Sequence, residues 1–312
     1  MLMFALRRLG FVAVVLLVVS IFAFFVPYVT GRDPAREILQ SRVAERAPDE
    51  EVLEAIREEL GLNESLFVQY QRWLGSALEG DLGYSMVSKE PVGELLVNAL
   101  QITFLLTTVT LTFSLLVSLP MGALAAARRG GWLDNAIVAV TQTGVAIPEY
   151  WLGPLLILLF ALTLGLVPSA GLRGPEYLVL PALTLALRPI AYITRISRAA
   201  MLDVLSSPYI TAARARGLSY AKTVVRHGIR NASLPVLSVF AMWFAGLLGG
   251  SVVVEVIFAV PGMGRLMYEG VLNSDIPLIQ AGLMTIVALA VVFNVLADLL
   301  YTVIDPTVKL RR

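Results

Sequence analysis

The chain alternates between long apolar runs and short polar interruptions. Six apolar segments stand out, at approximately 9–29, 98–127, 132–166, 177–198, 232–257 and 280–303. About 20 apolar residues in a helix, at 1.5 Å per residue, reach across a bilayer core, so each segment predicts a membrane helix. The third segment is too long for one straight span and contains Pro148, which predicts a break or kink there. It is read as one crossing with an interruption; the alternative, two crossings, would reverse everything downstream. The first run follows Arg7 and Arg8 and fits an uncleaved anchor better than a signal peptide, whose apolar region is shorter.

Between the first two runs, residues 31–97 are mostly polar and acid-rich, with Asp49, Glu50, Glu51, Glu54, Glu58 and Glu59. Their pattern predicts a folded helical insert. Val52, Leu53, Ile56 and Leu60 share one helical face, and Gly61 followed by Leu62 fits a helix end. Ser65 reads as the N-cap of a second helix through Phe67, Tyr70, Trp73 and Leu74, and GDLGYS at Gly80–Ser85 closes the insert.

The 312 residues are 57% hydrophobic and 15% charged, against roughly 25% charged in soluble domains. Mean hydropathy is +0.79. A net charge of +1 gives no case for nucleic-acid binding, and zero cysteines exclude disulfides, thiolate metal sites and a Cys nucleophile. The placement of charge is more informative than its sum. Arg7 and Arg8, then Arg128 and Arg129, then Arg198, Arg214, Arg216, Lys222, Arg226 and Arg230, then Lys309, Arg311 and Arg312 all fall on one side if the chain crosses six times. The positive-inside rule makes that side the cytoplasm and puts the acidic insert outside. No repeat of 20–50 residues and no matched pair of broken segments is visible, which disfavours an inverted-repeat secondary transporter.

The longest cytoplasmic connection reads YITAARARGLSYAKTVVRHGIRNASLP, Tyr209–Pro235. Ser207 and Pro208 predict a helix start, Gly217 with Leu218 a stop, and Ser219 the cap of a second helix, Tyr220 to Arg230. A helix–glycine–helix elbow built on Ala212, Ala213, Ala215 and Gly217 lets another protein approach its backbone closely, which favours a docking element over a passive basic loop. His227 is the single histidine and lacks companions for a metal or acid–base site, so it reads as structural.

This elbow resembles the EAA loop of bacterial ABC-importer permeases, the segment that couples to the ATPase subunits. The leading glutamate is absent: Thr211-Ala212-Ala213-Arg214-Ala215-Arg216-Gly217-Leu218, followed by Arg226-His227-Gly228-Ile229-Arg230-Asn231-Ala232-Ser233-Leu234-Pro235-Val236, is similar to the dipeptide and oligopeptide permease subfamily. Further stretches resemble it in the same order. They are Gln69–Ser85, Ile147–Phe160, Pro181–Leu187, Arg195–Met201, Val254–Ala281 and Asp298–Pro306.

The resemblance implies an all-α membrane protein with both termini cytoplasmic. Its parts would be an N-terminal transmembrane helix (1–30), an extracytoplasmic insert (31–97), a permease core (98–305) with a coupling loop (199–231), and a cytoplasmic tail (306–312). It implies a second homologous permease subunit, two ABC ATPase subunits, an extracytoplasmic solute-binding protein and membrane lipid as partners, in the bacterial cytoplasmic membrane. Di- or oligopeptide is the implied cargo, with nickel and glutathione as alternatives. No G-x-x-x-x-G-K-[ST] is present, so ATP and Mg are expected on the ATPases, and this chain is expected to hold no cofactor and to catalyse nothing.

The coupling residues implied are Tyr209, Thr211, Ala212, Ala213, Ala215, Gly217 and Leu218. Asp81, Leu82, Gly83 and Tyr84 are candidates for contact with the binding protein. Ionisable residues inside a membrane are costly and mark paths or pairs; Glu149, Arg188, Glu255 and Asp298 are the candidates. Arg188, next to Pro189, reads equally as pore-facing or as an interhelical ion pair, and Glu255 as lining the path or its gate. Gly246 and Gly250 permit close helix contact, and the resemblance makes them pore candidates, since it implies that this span lies near the pore formed with the partner permease. Phe258 to Asp275, with Pro261 and Gly262, predicts a short external re-entrant or scoop helix that covers the pore, which makes Phe258, Pro261, Gly262 and Asp275 gate candidates. Two rivals from other classes are a secondary transporter or channel working alone and a membrane scaffold whose acidic insert is the working part.

Overall fold

In a computed structural model of the chain, residues 2–29, 50–59, 61–223 and 230–304 are described. They form helices α1 (Leu2–Val29), α2 (Glu50–Glu59), α3 (Leu66–Leu78), α4 (Val92–Ala127), α5 (Trp132–Ala146), α6 (Glu149–Leu156), α7 (Val179–Leu205), α8 (Pro208–Ala215), α9 (Tyr220–Thr223), α10 (Arg230–Gly250), α11 (Val252–Ile257), α12 (Met263–Leu272) and α13 (Ile276–Ile304). No strand occurs among the described residues; a lone antiparallel bridge joins Tyr84 and Pro91.

Among the described residues, four helical stretches are long and apolar enough to cross a membrane: Gly10–Tyr28, Val92–Ala127, Pro175–Leu205 and Ile276–Leu296. The third apolar segment breaks at Ile147–Pro148, as the proline predicts. α5 and the helix that runs from Glu149 through a π-helical turn to Thr163 meet at 100°. α5 has 15 residues, about 22 Å, and does not reach across about 30 Å of hydrocarbon alone. The fifth segment departs from its expected form: α10 ends at Gly250, Ser251 interrupts, and α11 resumes for six residues.

The chain divides into two compact units, one of Met1–Ile102 with Gly262–Val291 and one of Thr103–Pro261 with Val292–Arg312. The first holds the insert. Its core joins Val92 and Leu96 to Met263, Met267, Leu278 and Ala281. Beside it, Phe24 lies in ring contact with Tyr28, Tyr70 and Trp73. The buried Gln69 amide ties these rings to the connection before α3: it accepts from the Tyr28 hydroxyl and donates to the carbonyls of Leu62 and Glu64 at 2.9 and 2.8 Å.

The insert follows the expected punctuation, with two differences on its faces. α2 ends in a Schellman arrangement: Gly61 has φ +63°, its N–H donates to Glu58 O, and Leu62 N–H donates to Arg57 O. Leu53 is fully buried, but Val52 is exposed; Leu60 and the Ile56 side chain lie outside the described residues. Phe67 is exposed while Tyr70, Trp73 and Leu74 are half-buried. Ser65 takes the N-cap position with extended backbone, but its hydroxyl accepts no helix N–H.

The second unit is organised around α7, the most buried of the long helices, which packs on α10, α5, α6 and α11. Gly122 of α4 sits so close to α7 that a Cβ there would fall 2.7 Å from Ser197 Cβ and 3.0 Å from the Arg198 nitrogen. Small residues replace hydrophobic drive at such membrane contacts. A bidentate pair fixes the same end: Arg198 Nε and Nη2 donate to Asp134 Oδ1 and Oδ2 at 2.6 and 2.7 Å, and Gly130 N–H donates to Oδ2 at 2.9 Å.

Candidate functional site

The elbow forms as two helices around a left-handed glycine. α8 begins after Ser207, whose hydroxyl donates back to Val204 O instead of capping the new helix, and Pro208 opens it. At its end Gly217 has φ +92°; Gly217 N–H donates to Arg214 O at 2.9 Å and Leu218 N–H to Ala213 O at 3.3 Å, a second Schellman ending. The Ser219 hydroxyl then accepts the Lys222 N–H at 3.4 Å, capping α9. α9 is described to Thr223; the rest of the expected second helix, with Arg226 and His227, lies outside the described residues.

The faces of α8 separate cleanly. Ile210 and Ala213, one turn apart, are buried and hold the helix to the protein. Tyr209, Thr211, Ala212, Ala215 and Gly217 are exposed, and Leu218 is half-buried. Ala213, expected with the docking residues, thus belongs to the inner face. A Cβ on Gly217 would meet nothing within 4 Å, so the bend is open to an approaching surface.

The pore and gate candidates divide evenly: Glu255, Phe258, Gly262 and Asp275 are buried, and Arg188, Gly246, Gly250 and Pro261 are exposed. Glu255 is fully buried, and its Oε1 accepts from Thr103 Oγ1 at 2.8 Å and Ser251 Oγ at 2.7 Å. One hydroxyl comes from the entry of Glu255's own helix and the other from α4, so the carboxylate ties α11 to α4. Phe258 is buried beside Gly153 of α6, and its carbonyl accepts the Gly171 N–H at 2.8 Å. Pro261 is exposed, and Gly262 is buried at the N-cap of α12, the ten-residue helix expected as the external scoop.

In the other unit Asp275 is fully buried. Its Oδ2 accepts from Ser85 Oγ at 2.5 Å and its Oδ1 from Met86 N–H at 3.1 Å. Ser85 Oγ in turn accepts from Val87 and Ser88 N–H at 3.2 and 3.0 Å. The GDLGYS strap is thereby fixed to the start of α13. Within it, Asp81 Oδ1 accepts the Gly83 N–H at 3.0 Å, Leu82 packs on the Val92–Met263 core, Gly83 has φ +78°, and Tyr84 is 65% exposed. Asp81 and Tyr84 are therefore the outward members of that group.

Gly246 and Gly250 face open space, with nothing within 4 Å of an added Cβ. Arg188 pairs with Glu149 across α7 and α6, Nε to Oε1 at 3.5 Å, with 47% of the arginine side chain exposed. The ion pair, one of the two readings expected for Arg188, is formed on a side chain that is still open on one side. The Asp298 side chain lies outside the described residues. The Asp134–Arg198 pair was missed, although an acid in the first turn of a helix, where N–H groups converge, is a readable signal.

Comparison with known proteins agrees over the full length. The family described as "Binding-protein-dependent transport system inner membrane component" matches residues 118–310, and its N-terminal companion matches residues 1–107. The chain is 35% identical to the glutathione transport system permease protein GsiC of Escherichia coli (strain K12), covering 99% of both chains. It is 38% identical to the "Putative peptide transport system permease protein" of Brucella abortus (strain 2308), covering 97% of this chain and 98% of the relative. Among solved structures, the inward-facing MetNI methionine ABC transporter aligns with a TM-score of 0.60 at 22% identity, covering 69% of this chain and 99% of that one, which is a likeness of fold. An all-helical chain with several membrane-length apolar helices, matched from end to end in this way, belongs to the binding-protein-dependent transport system inner membrane component family: it is an ABC-importer permease of the bacterial inner membrane.

Proposed function

We propose that the chain forms half of a transmembrane path for di- and oligopeptides, and that it works with a second permease subunit, two ATPases that bind ATP and Mg, and an extracytoplasmic binding protein. It crosses six times, the bent pair α5–α6 and the interrupted pair α10–α11 counting as one crossing each. Both termini and the elbow then lie in the cytoplasm and the 31–97 insert lies outside. Relatives named for glutathione and for peptide support one cargo class, since glutathione is itself a tripeptide.

The observation that carries the reading is the elbow. Between two membrane helices, α8 anchors itself through Ile210 and Ala213 and leaves Tyr209, Thr211, Ala212, Ala215 and Gly217 uncovered. Closure of the ATPases would push on this rigid knob and tilt α7 and α10, which it joins.

Two substitutions test it. Gly217→Asn keeps a residue that tolerates a positive φ and stays small; Gly217→Trp adds bulk to the open face. The tryptophan variant is expected to insert normally, to lose ATPase co-purification and to take up labelled peptide at background level, while the asparagine variant retains most uptake. Full uptake by Gly217→Trp would overturn the coupling role. Cysteines placed at Glu58 and Lys222 should label from outside and inside respectively; labelling of both from one side would exclude the six-crossing arrangement.

A further inference from the structure

α7 is buried almost all round, yet one line of it is not. From Leu180 to Leu205 the exposed positions are Arg188, Tyr192, Arg195, Ala199 and Asp203. Spacings of four, three, four and four residues put all five on a single stripe, about 22 Å long at 1.5 Å per residue. Arg188, Tyr192, Arg195 and Asp203 make the stripe polar, while every position off the stripe from Leu180 to Leu205, apolar or polar, is buried or half-buried. It starts near the middle of the Pro175–Leu205 span and runs to that span's end next to the elbow.

The Arg188 guanidinium, near the middle of the span, does not face hydrocarbon but a partner or water, and Arg195 lies about two turns nearer the elbow end of the span. The stripe is also organised. The Arg195 guanidinium carbon sits 4.6 Å from the centroid of the Tyr192 ring. Trp243 of α10 meets the same ring edge-on at 6.0 Å, and its enclosed indole N–H has no acceptor among the described residues. At the deep end Arg188 shares its charge with Glu149 at 3.5 Å, where the α5–α6 bend closes the line. Arg195 and the open side of Arg188 thus present donors in fork geometry beside an aromatic face.

We propose that the Arg188–Tyr192–Arg195 stripe is the wall of the water-filled translocation path and the place where the carboxylate of the cargo is received. The inference rests on the transport reading above and adds a ligand class to it: a peptide with a free α-carboxylate. Arginine suits this task because its planar fork pairs with carboxylate, and its charge does not depend on pH. Asp203, at the far end of the stripe, places a negative charge where the anion must leave.

A labelling experiment tests the path independently of the cargo. The chain contains no cysteine, so single cysteines can be placed at Tyr192 and Ala199 in the complex with its partner subunits, with labelling read on this chain by mass. Both are expected to react with membrane-impermeant methanethiosulfonates supplied from the elbow side. At Ala199→Cys the sulfonate-bearing reagent should react about tenfold faster than the trimethylammonium one, relative to their rates on a free thiol. Arg195→Gln should abolish that preference and Arg195→Lys should keep it. Absence of labelling at both positions, or labelling with no charge preference, would overturn the proposal even if peptide transport is fully confirmed.

A transport experiment in proteoliposomes with the binding protein tests the ligand class. Uptake of a peptide acid over its C-terminal amide should fall about tenfold in ratio for Arg195→Gln, mainly through the half-saturating concentration. Equal loss for acid and amide would assign the arginine to structure and overturn carboxylate recognition. A complex that takes up neither peptide, yet labels as predicted, would contradict the cargo reading while leaving an anion-selective path in place.

Discussion

The elbow at Tyr209–Leu218 and the carboxylate nodes at Glu255 and Asp275 carry the same kind of importance in the sequence: polar punctuation inside an oily chain. They are built oppositely. The elbow is built locally: the backbone hydrogen bonds that end α8 and start α9 among the described residues span at most five residues. Its outer residues stay uncovered. Each node is fully buried and takes a partner far along the chain, Thr103 for Glu255 and Ser85 for Asp275. A buried carboxylate satisfied by hydroxyl and N–H donors is a clamp between segments, because removing either side leaves a costly orphan. An exposed bend over small residues is a surface. The difference teaches that polarity within a membrane protein does not by itself mark a working site; what covers the polar group decides.

Five substitutions would break or sharpen that contrast. The largest effect is expected at the elbow. Ala212→Trp should reduce peptide uptake to background with an unchanged melting temperature, because Ala212 is exposed, whereas Ala213→Trp should lower melting as well, because Ala213 is 3% exposed. Parallel thermal melts and uptake assays of the two neighbours separate a docking face from a packed one; identical behaviour would erase the distinction.

Next in size is Asp275→Ala. It strands the Ser85 hydroxyl and the Met86 N–H in the interior, and a loss of about 2–4 kcal/mol is expected in detergent unfolding. Asp275→Asn, which keeps an acceptor, should lose less than half of that. If Asp275→Ala unfolds like the wild type and uptake alone is affected, the node works as a gate and not as a clamp. Smallest is Thr103→Val, a near-isosteric change that removes one hydrogen bond to Glu255. About 1–2 kcal/mol of destabilisation is expected, with uptake retained at temperatures where the fold is intact.

Much of the architecture was legible because its causes are local. Apolar run length gave the helices, Pro148 the break between α5 and α6, and Gly61 and Gly217 the left-handed endings of α2 and α8. The same ending recurs where no glycine announces it. Ala259 has φ +50° after α11, with Val260 N–H donating to Glu255 O, and Ser274 has φ +55° after α12, with Asp275 N–H donating to Gly270 O. An L side chain pays a steric cost in that region. Each of these two turns is held by a pair of backbone hydrogen bonds across the helix end, and no glycine in the sequence pointed to them. The interruption of the fifth apolar segment at Ser251 escaped notice for a related reason: the Ser251 hydroxyl serves Glu255, and that need is visible only once Thr103 is beside it.

The sequence by itself determined what the chain is made of: membrane helices of a given length, an acidic insert, a basic elbow with a glycine at its bend, and the order of motifs that places it among importer permeases. These follow from transfer energies, backbone sterics and charge, which act within a few residues. Tertiary structure alone decided which polar groups are covered. It put Ala213 inside and Ala212 outside, closed Glu255 and Asp275 behind hydroxyls from distant segments, and left Arg188, Tyr192 and Arg195 open along the one unpacked stripe of α7. Burial is a property of what packs against a residue, and for these residues the packing partners stand elsewhere in the chain.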